Sequence, residues 1–485
     1  MTLFRSRTIC FFSVLLISAT IRAGSSDPRW KKHTVTHSGG GLTAIAADFT
    51  GDGLLDVISN AGNTRLYIAP DWTSVTIGGG NFIHSEVFDV DDDGDPDYIG
   101  AVYSPSLIQW FECPDDPTSD PWTIRLVDNQ VNGTHGLLKG DVDGDDKFDL
   151  LAGSALATGA FPESLVWYRV PEDPHNAERW ERHVFADQDA PGLGHYFGFG
   201  DVNGDLRPDA AHAAKGGPTA PAGSGEWFAW WEAPENPEGA WTKHLISDQQ
   251  PGATNIHPAD VNKDGEMDFI ASRGHGVGVI WFEAPSWTEH TIDPDIREAH
   301  CLAVADIDGD GDIDAATCAF GSARTAWYEN NGRGNFTIHV LDTNQTAYDI
   351  RALDMEGDGD LDLLVAGQSS GNVVWYEQLS FQLPGDCNQD AILDISDAVC
   401  MLNVLFKDAS LQLPCGDGTP ADPGNIALLD WQPDGNVDLS DAISLLQYLF
   451  LGTSPHTLGI SPQEREVCVD IPGCPANSDC QQVDL

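Results

Sequence analysis

The sequence predicts an all-β, seven-bladed propeller followed by a small α-helical domain, and three observations carry that prediction. An acidic nine-residue stretch recurs seven times, at Asp48 to Asp56, Asp89 to Asp97, Asp141 to Asp149, Asp201 to Asp209, Asp260 to Asp268, Asp306 to Asp314 and Asp354 to Asp362. Around these stretches, units of roughly 41 to 60 residues repeat the same order of short apolar and aromatic strands, and four short strands per repeat is the pattern of propeller blades. After residue 379 the composition changes, and two twelve-residue acidic loops each lead into an apolar pattern of helical period.

Each nine-residue loop offers oxygen ligands at positions one, three, five and nine, usually with Gly at six, and a tight turn of that kind wraps a hard cation, with calcium the expected ion. The candidate ligands are Asp48, Asp52 and Asp56 in the first loop, with Thr50 a weaker third position, and Asp89, Asp91, Asp93 and Asp97 in the second. The third loop offers Asp141, Asp143, Asp145 and Asp149; the fourth Asp201, Asn203, Asp205 and Asp209; the fifth Asp260, Asn262, Asp264 and Asp268. The sixth offers Asp306, Asp308, Asp310 and Asp314, and the seventh Asp354, Glu356, Asp358 and Asp362. Position six calls for a backbone angle that Gly reaches freely and Asp146 at modest cost, so Leu206 makes the fourth loop the weakest.

Between the loops the chain is one repeated sentence. A strand leaves each loop, an aromatic strand follows (Trp110-Phe111-Glu112, Trp281-Phe282-Glu283, Trp327-Tyr328-Glu329, Trp375-Tyr376-Glu377), and a W-x-x-H strand ends the unit (Trp180 to His183, Trp241 to His244, Trp287 to His290). No W-x-x-H strand follows Glu377, yet one stands alone at Trp30 to His33, before the first loop. The N-terminal strand is therefore expected to complete the seventh blade and close the ring, removing its free edges. The repeated histidines His33, His183, His244, His290 and His339 then lie on outer strands and read as packing residues. The acidic loop together with the W-Y-E strand resembles the FG-GAP and VCBS repeat families of extracellular propellers over residues 30–379. The resemblance implies calcium at one face of the ring and specifies no substrate.

Residues 386 to 397 offer Asp386, Asn388, Asp390, Asp394 and Asp397, and residues 430 to 441 offer Asp430, Gln432, Asp434, Asp438 and Asp441. This is EF-hand spacing with Asp in place of Glu at position twelve. The helices that follow carry Ala398, Val399, Leu402, Leu405 and Phe406, then Ala442, Ile443, Leu446, Leu449 and Phe450, the second stopped by Gly452. Such paired loop-helix repeats resemble a dockerin domain, here residues 380–455, which implies a calcium-dependent fold and a cohesin-like partner. A long insert between the repeats and Gln432 at a ligand position depart from the family pattern. Residues 456–485 form a Cys-rich tail.

Arg5 and Arg7, an apolar run from Ile9 to Ala19, and Ala19 and Ala23 beyond it fit a secretory signal peptide over residues 1–23. The run is too short to span a membrane and no later stretch is long enough, so the protein is expected to be secreted or held at the cell surface or in the periplasm. Six of the ten cysteines (Cys387, Cys400, Cys415, Cys468, Cys474, Cys480) lie in the C-terminal hundred residues, where a small domain needs staples, and fifteen pairings are open. Cys301 and Cys318 flank the sixth loop on neighbouring strands, where a disulfide is expected. A net charge of −52 repels a phosphate backbone and excludes nucleic acid as a partner.

His135, His195 and His300 each stand six residues before their acidic loop, His84 five before and His257 three before. At ~3.3 Å per residue this register puts imidazoles at the channel end opposite the calcium loops. They are the candidate catalytic residues, able to hold a second divalent metal, take a proton or hydrogen-bond a sugar. No nucleophile elbow, H-E-x-x-H helix or phosphate-cradling loop is present. The leading expectation is a binding or scaffold propeller for a polysaccharide or cell-surface ligand, carried by a docking domain. Alternatives are a sugar lyase or dehydratase using the histidine end, since the repeat pattern loosely resembles the propeller of aldos-2-ulose dehydratases, and a purely structural surface protein.

Overall fold

The computed structural model describes residues 29–217, 225–407, 411–458, 468–474 and 480; the expected signal peptide lies outside these residues. Seven four-stranded antiparallel sheets stand around a central channel. The innermost strands are Ala44–Ala47, His84–Phe88, Leu137–Gly140, Gly194–Gly200, Asn255–Ala259, Ala299–Ala305 and Asp349–Leu353. In the last sheet Trp30–Thr36 is the outer strand, antiparallel to Asn372–Gln378 with Trp30 opposite Gln378 and His33 opposite Trp375. The ring closes as the unpaired W-x-x-H strand predicted.

In most blades the ninth residue of the acidic loop ties two stretches of the blade together. Asp97 accepts the N–H of Val90 at 3.1 Å and that of Cys113, at the end of the third strand, at 2.7 Å. Asp209, Asp268, Asp314 and Asp362 make the same pair of bonds. Each of these carboxylates is buried, so the bonds satisfy two backbone donors that would otherwise be stranded at a strand end.

The aromatic strands fill the space between blades. Trp110, Trp167, Trp231 and Trp327 are fully buried, and truncating any one to Ala would cost about 3–5 kcal/mol. The outer-strand histidines cover these strands. His33, His183, His244, His290 and His339 stack on Trp375, Trp167, Trp230, Trp281 and Trp327 with ring centroids 4.2 to 4.7 Å apart. The Glu that ends the aromatic triplet takes the other side of the ring, as Glu232 does for His244 at 2.9 Å and Glu283 for His290 at 2.8 Å. In the second blade Arg125 replaces the histidine, lying over Trp110 and bound to Glu112 at 2.7 Å.

Beyond the ring, α1 (Ile395–Phe406), α2 (Pro423–Leu429) and α3 (Leu439–Leu451) form a compact unit. α2 lies in the insert between the two loop-helix repeats. α1 and α3 begin with matching capping boxes, Asp394 with Asp397 and Asp438 with Asp441. Their buried face is Ala398, Met401, Ala442 and Leu445. Val399, Phe406, Ile443 and Phe450, grouped by their period with the apolar face, are exposed instead. Disulfides join Cys387 to Cys400, Cys415 to Cys474 and Cys468 to Cys480. The second of these, with the pairing of Phe381–Gln382 to Val469–Asp470, ties the tail onto the unit.

The disulfide expected between Cys301 and Cys318 does not form. The two residues face each other across neighbouring strands, but both thiols are free and buried. The Cys301 thiol turns toward the next blade and donates to Asp349 Oδ1 at 3.3 Å.

Candidate functional site

All seven loops share one turn. In six of them the position-one carboxylate accepts the N–H groups of residues five and six, as in Asp93→Asp89 at 3.2 Å and Gly94→Asp89 at 2.9 Å, and in the sixth loop Asp306 accepts from Gly311 while Asp310 donates to Asp308. Position six has positive φ in every loop: Gly53, Gly94, Gly265, Gly311 and Gly359, and also Asp146 at 67° and Leu206 at 68°. The Leu206 side chain is 91% exposed, so it meets no neighbour there, and the left-handed backbone carries only the local cost of its own Cβ. The fourth loop differs elsewhere: Arg207 forms an ion pair with Asp205 at position five. A resident cation suits the set, because Asp143 Oδ1 and Asp306 Oδ1, at positions three and one, are buried without a hydrogen-bond partner among the described residues. Ligand-bearing oxygens converge in Asp89, Asp91 and Asp97, in Asp141, Asp143 and Asp149, and in Asp306, Asp308 and Asp314.

The two C-terminal loops repeat this design. Asp386 accepts from Asp390 and Ala391, and Asp430 from Asp434 and Gly435. Asp397 and Asp441 reach back to accept from Cys387 and Gln432. The Gln432 amide, in place of a carboxylate, donates to Ser444 Oγ at 2.6 Å.

At the other end of the inner strands His135, His195 and His300 come together, with ligand nitrogens within 4.8 Å of one another. Ring centroids of His135 lie 4.0 Å from His195 and 5.4 Å from His300. Burial, reinforced by the neighbouring imidazoles, holds all three well below the usual histidine range, so they are neutral. His84 and His257 do not join them. His84 Nδ1 accepts the N–H of Leu137 and its Nε2 faces Arg351 at 2.8 Å, while His257 lines the channel below.

That channel holds a cavity of about 370 Å³. Its polar lining is Glu86, Lys139, Arg351, His84, His257 and Asn255. Arg351 is its hub, paired with Glu86 and Asp349 at 3.4 Å each. Tyr196, whose hydroxyl lies 3.2 Å from His300 Nδ1, lines the cavity and touches the histidine cluster.

Three further residues, none of them a histidine of that register, complete the cluster. Tyr348 stands six residues before Asp354, the same register as the three histidines, and bonds His135 Nε2 at 3.0 Å. Tyr196 follows His195 on the same strand. His275, in the turn between Asp268–Ser272 and Val277–Glu283, has no counterpart in the other blades and lies 3.0 Å from His195 Nε2.

The fold and its loops define a seven-bladed propeller built from acidic-loop repeats. Residues 260–317 and 306–365 match the family of FG-GAP-like repeats, so the chain carries such repeats in at least the fifth to seventh blades. No curated protein matches the chain. Similar solved structures include BBS1N in complex with ARL6DN, soaked with lead, at 10% identity over 72% of this chain and 97% of that one, with a TM-score of 0.47. The same complex soaked with mercury matches at 9% identity over the same shares, with a TM-score of 0.49.

Proposed function

We propose that the protein is an exported, calcium-ordered scaffold whose propeller presents a ligand-binding face and whose C-terminal unit docks, with calcium, onto a cohesin-like partner. The observation that carries this reading is a duplicated apolar stripe. Ile395, Val399 and Phe406 on α1 are exposed, as are Leu439, Ile443 and Phe450 on α3, and each triplet has the same spacing behind an acidic loop. Exposed anchors repeated in two related helices fit a partner surface better than a solvated one. Three disulfides support export into an oxidising compartment. No helix among the described residues is long and apolar enough to cross a membrane.

Titrating the full chain with recombinant cohesins by calorimetry tests this. Calcium-dependent binding that Phe406→Asp with Phe450→Asp abolishes is expected. No binding across a panel of cohesins would leave the unit as a self-contained staple of a structural surface protein.

A second reading, a sugar lyase or dehydratase acting on a polysaccharide, is favoured by one observation: His135, His195 and His300 converge at one end of the inner strands with the Tyr348 and Tyr196 hydroxyls beside them, a set of groups able to exchange a proton with a sugar. Release of unsaturated sugar products from an oligosaccharide panel, lost in His135→Ala, would support it, and inert substrates throughout would discard it.

A further inference from the structure

We infer that His135, His195 and His300, with His275 at the lip, form a binding site for a divalent transition metal, zinc before others, separate from the calcium loops and independent of the docking reading. Each of the three buried rings has one nitrogen fixed by a protein oxygen, and the other is either without a partner or faces another imidazole. His195 Nδ1 donates to Leu193 O at 2.9 Å, which fixes its tautomer and turns the Nε2 lone pair toward His275 Nε2, 3.0 Å away. His300 Nδ1 donates to Tyr348 O at 3.1 Å, and its Nε2 is buried with no hydrogen-bond partner among the described residues. His135 Nε2 is held by the Tyr348 hydroxyl, and its Nδ1 is likewise buried and without a partner. Backbone carbonyls and hydroxyls that grip the far nitrogen are how proteins orient histidine ligands, whereas packing histidines normally satisfy both nitrogens.

The fourth position is supplied from a loop built to reach it. A Cβ at Gly274 would lie 2.5 Å from Thr254 Oγ1 and 2.8 Å from His300 Cα, so only glycine lets this turn press onto the His300 backbone. The neighbouring His275 thereby comes within 3.0 Å of His195 Nε2. Tetrahedral zinc with ~2.1 Å bonds separates its ligand nitrogens by roughly 3.4 Å. The observed separations of 3.0 Å for one pair and up to 4.8 Å within the trio bracket that value. His275 is exposed and can give way to water, leaving one exchangeable position. An all-imidazole set selects zinc, copper or nickel over calcium, which takes oxygen.

The test uses untagged full-length protein in saturating calcium, which fills the acidic loops, titrated with zinc and separately with cobalt. One zinc per chain retained through dialysis is expected, together with the intense visible absorption of four- or five-coordinate cobalt. His195→Ala should weaken binding at least about 100-fold, and His275→Ala and Tyr348→Phe about 10-fold each. Weak octahedral cobalt absorption in the wild type, or zinc bound equally by His275→Ala and His195→Ala, would overturn the assignment. Because the cobalt spectrum is read on the wild type, the test holds even if the buried variants misfold.

Discussion

His33 lies flat against Trp375, ring centroids 4.2 Å apart and planes 13° from parallel, joining the first strand of the ring to its last. The same ring is bound by Glu377, so a single side chain latches both ends of the propeller. Deleting residues 24–36 should strip this strand, expose the edge of Asn372–Gln378 and cause aggregation or a large fall in melting temperature. His33→Ala alone should cost about 1 kcal/mol. Wild-type melting in the deletion variant would show that the segment is only a leader to the ring.

Calcium should matter unequally from loop to loop. Asp310→Ala, in a loop with a full set of carboxylates, is expected to lower the melting temperature in calcium by on the order of 2–4 °C. Asp205→Ala should cost less, because Arg207 already occupies that carboxylate. A larger loss from Asp205→Ala would contradict the ranking.

A pH dependence follows from the position-nine carboxylates. Burial raises Asp97 and Asp149 to about 7 and Asp314 to about 8, against ~3.9 in an unfolded chain. A carboxyl raised in the fold costs nothing below the unfolded value, and its cost grows as pH climbs from the unfolded value to the folded one and is full above it. Calcium-free protein should therefore melt lower at pH 8 than at pH 5. Calcium, which prefers the ionised carboxylate, should add more stability at pH 8. A larger calcium increment at pH 5 would contradict this.

Thiol chemistry gives a further check. Mass mapping of unreduced protein should find the peptide pairs of Cys387–Cys400, Cys415–Cys474 and Cys468–Cys480, with Cys113, Cys301 and Cys318 alkylated only after denaturation. A linked Cys301–Cys318 peptide would refute the free, buried thiols.

The blades were legible because one residue type does two jobs at a fixed spacing: the ninth aspartate both belongs to the acidic loop and ties two strands together, so it cannot drift. The closing strand was legible from a count that left one W-x-x-H over. The histidine trio follows from register, and Tyr348 shares that register with a phenol in place of the imidazole, so its membership shows only in the bond to His135. His275 comes from an unrepeated turn, and only the close approach at Gly274 brings it in, which no periodicity encodes. The exposed faces of α1 and α3 were misread because helical period groups apolar residues without saying which of two apolar stripes faces the core. Cys301 and Cys318 sit opposite each other on one face as the sequence suggested, but the Cys301 thiol is turned to the Asp349 carboxylate of the next blade rather than across the pair, a contact between blades that no spacing encodes.

Native mass spectrometry of the protein purified in calcium tests most directly whether the acidic loops are calcium sites that order the whole chain. Nine such loops predict about nine calcium ions per chain, with one lost first on dilution from the fourth loop. They would offset the charge of −52 to about −34, and their removal by chelator should lower the melting temperature of the propeller as well as of the C-terminal unit. A protein carrying no more than about two calcium ions, with a propeller transition unmoved by chelator, would contradict the account.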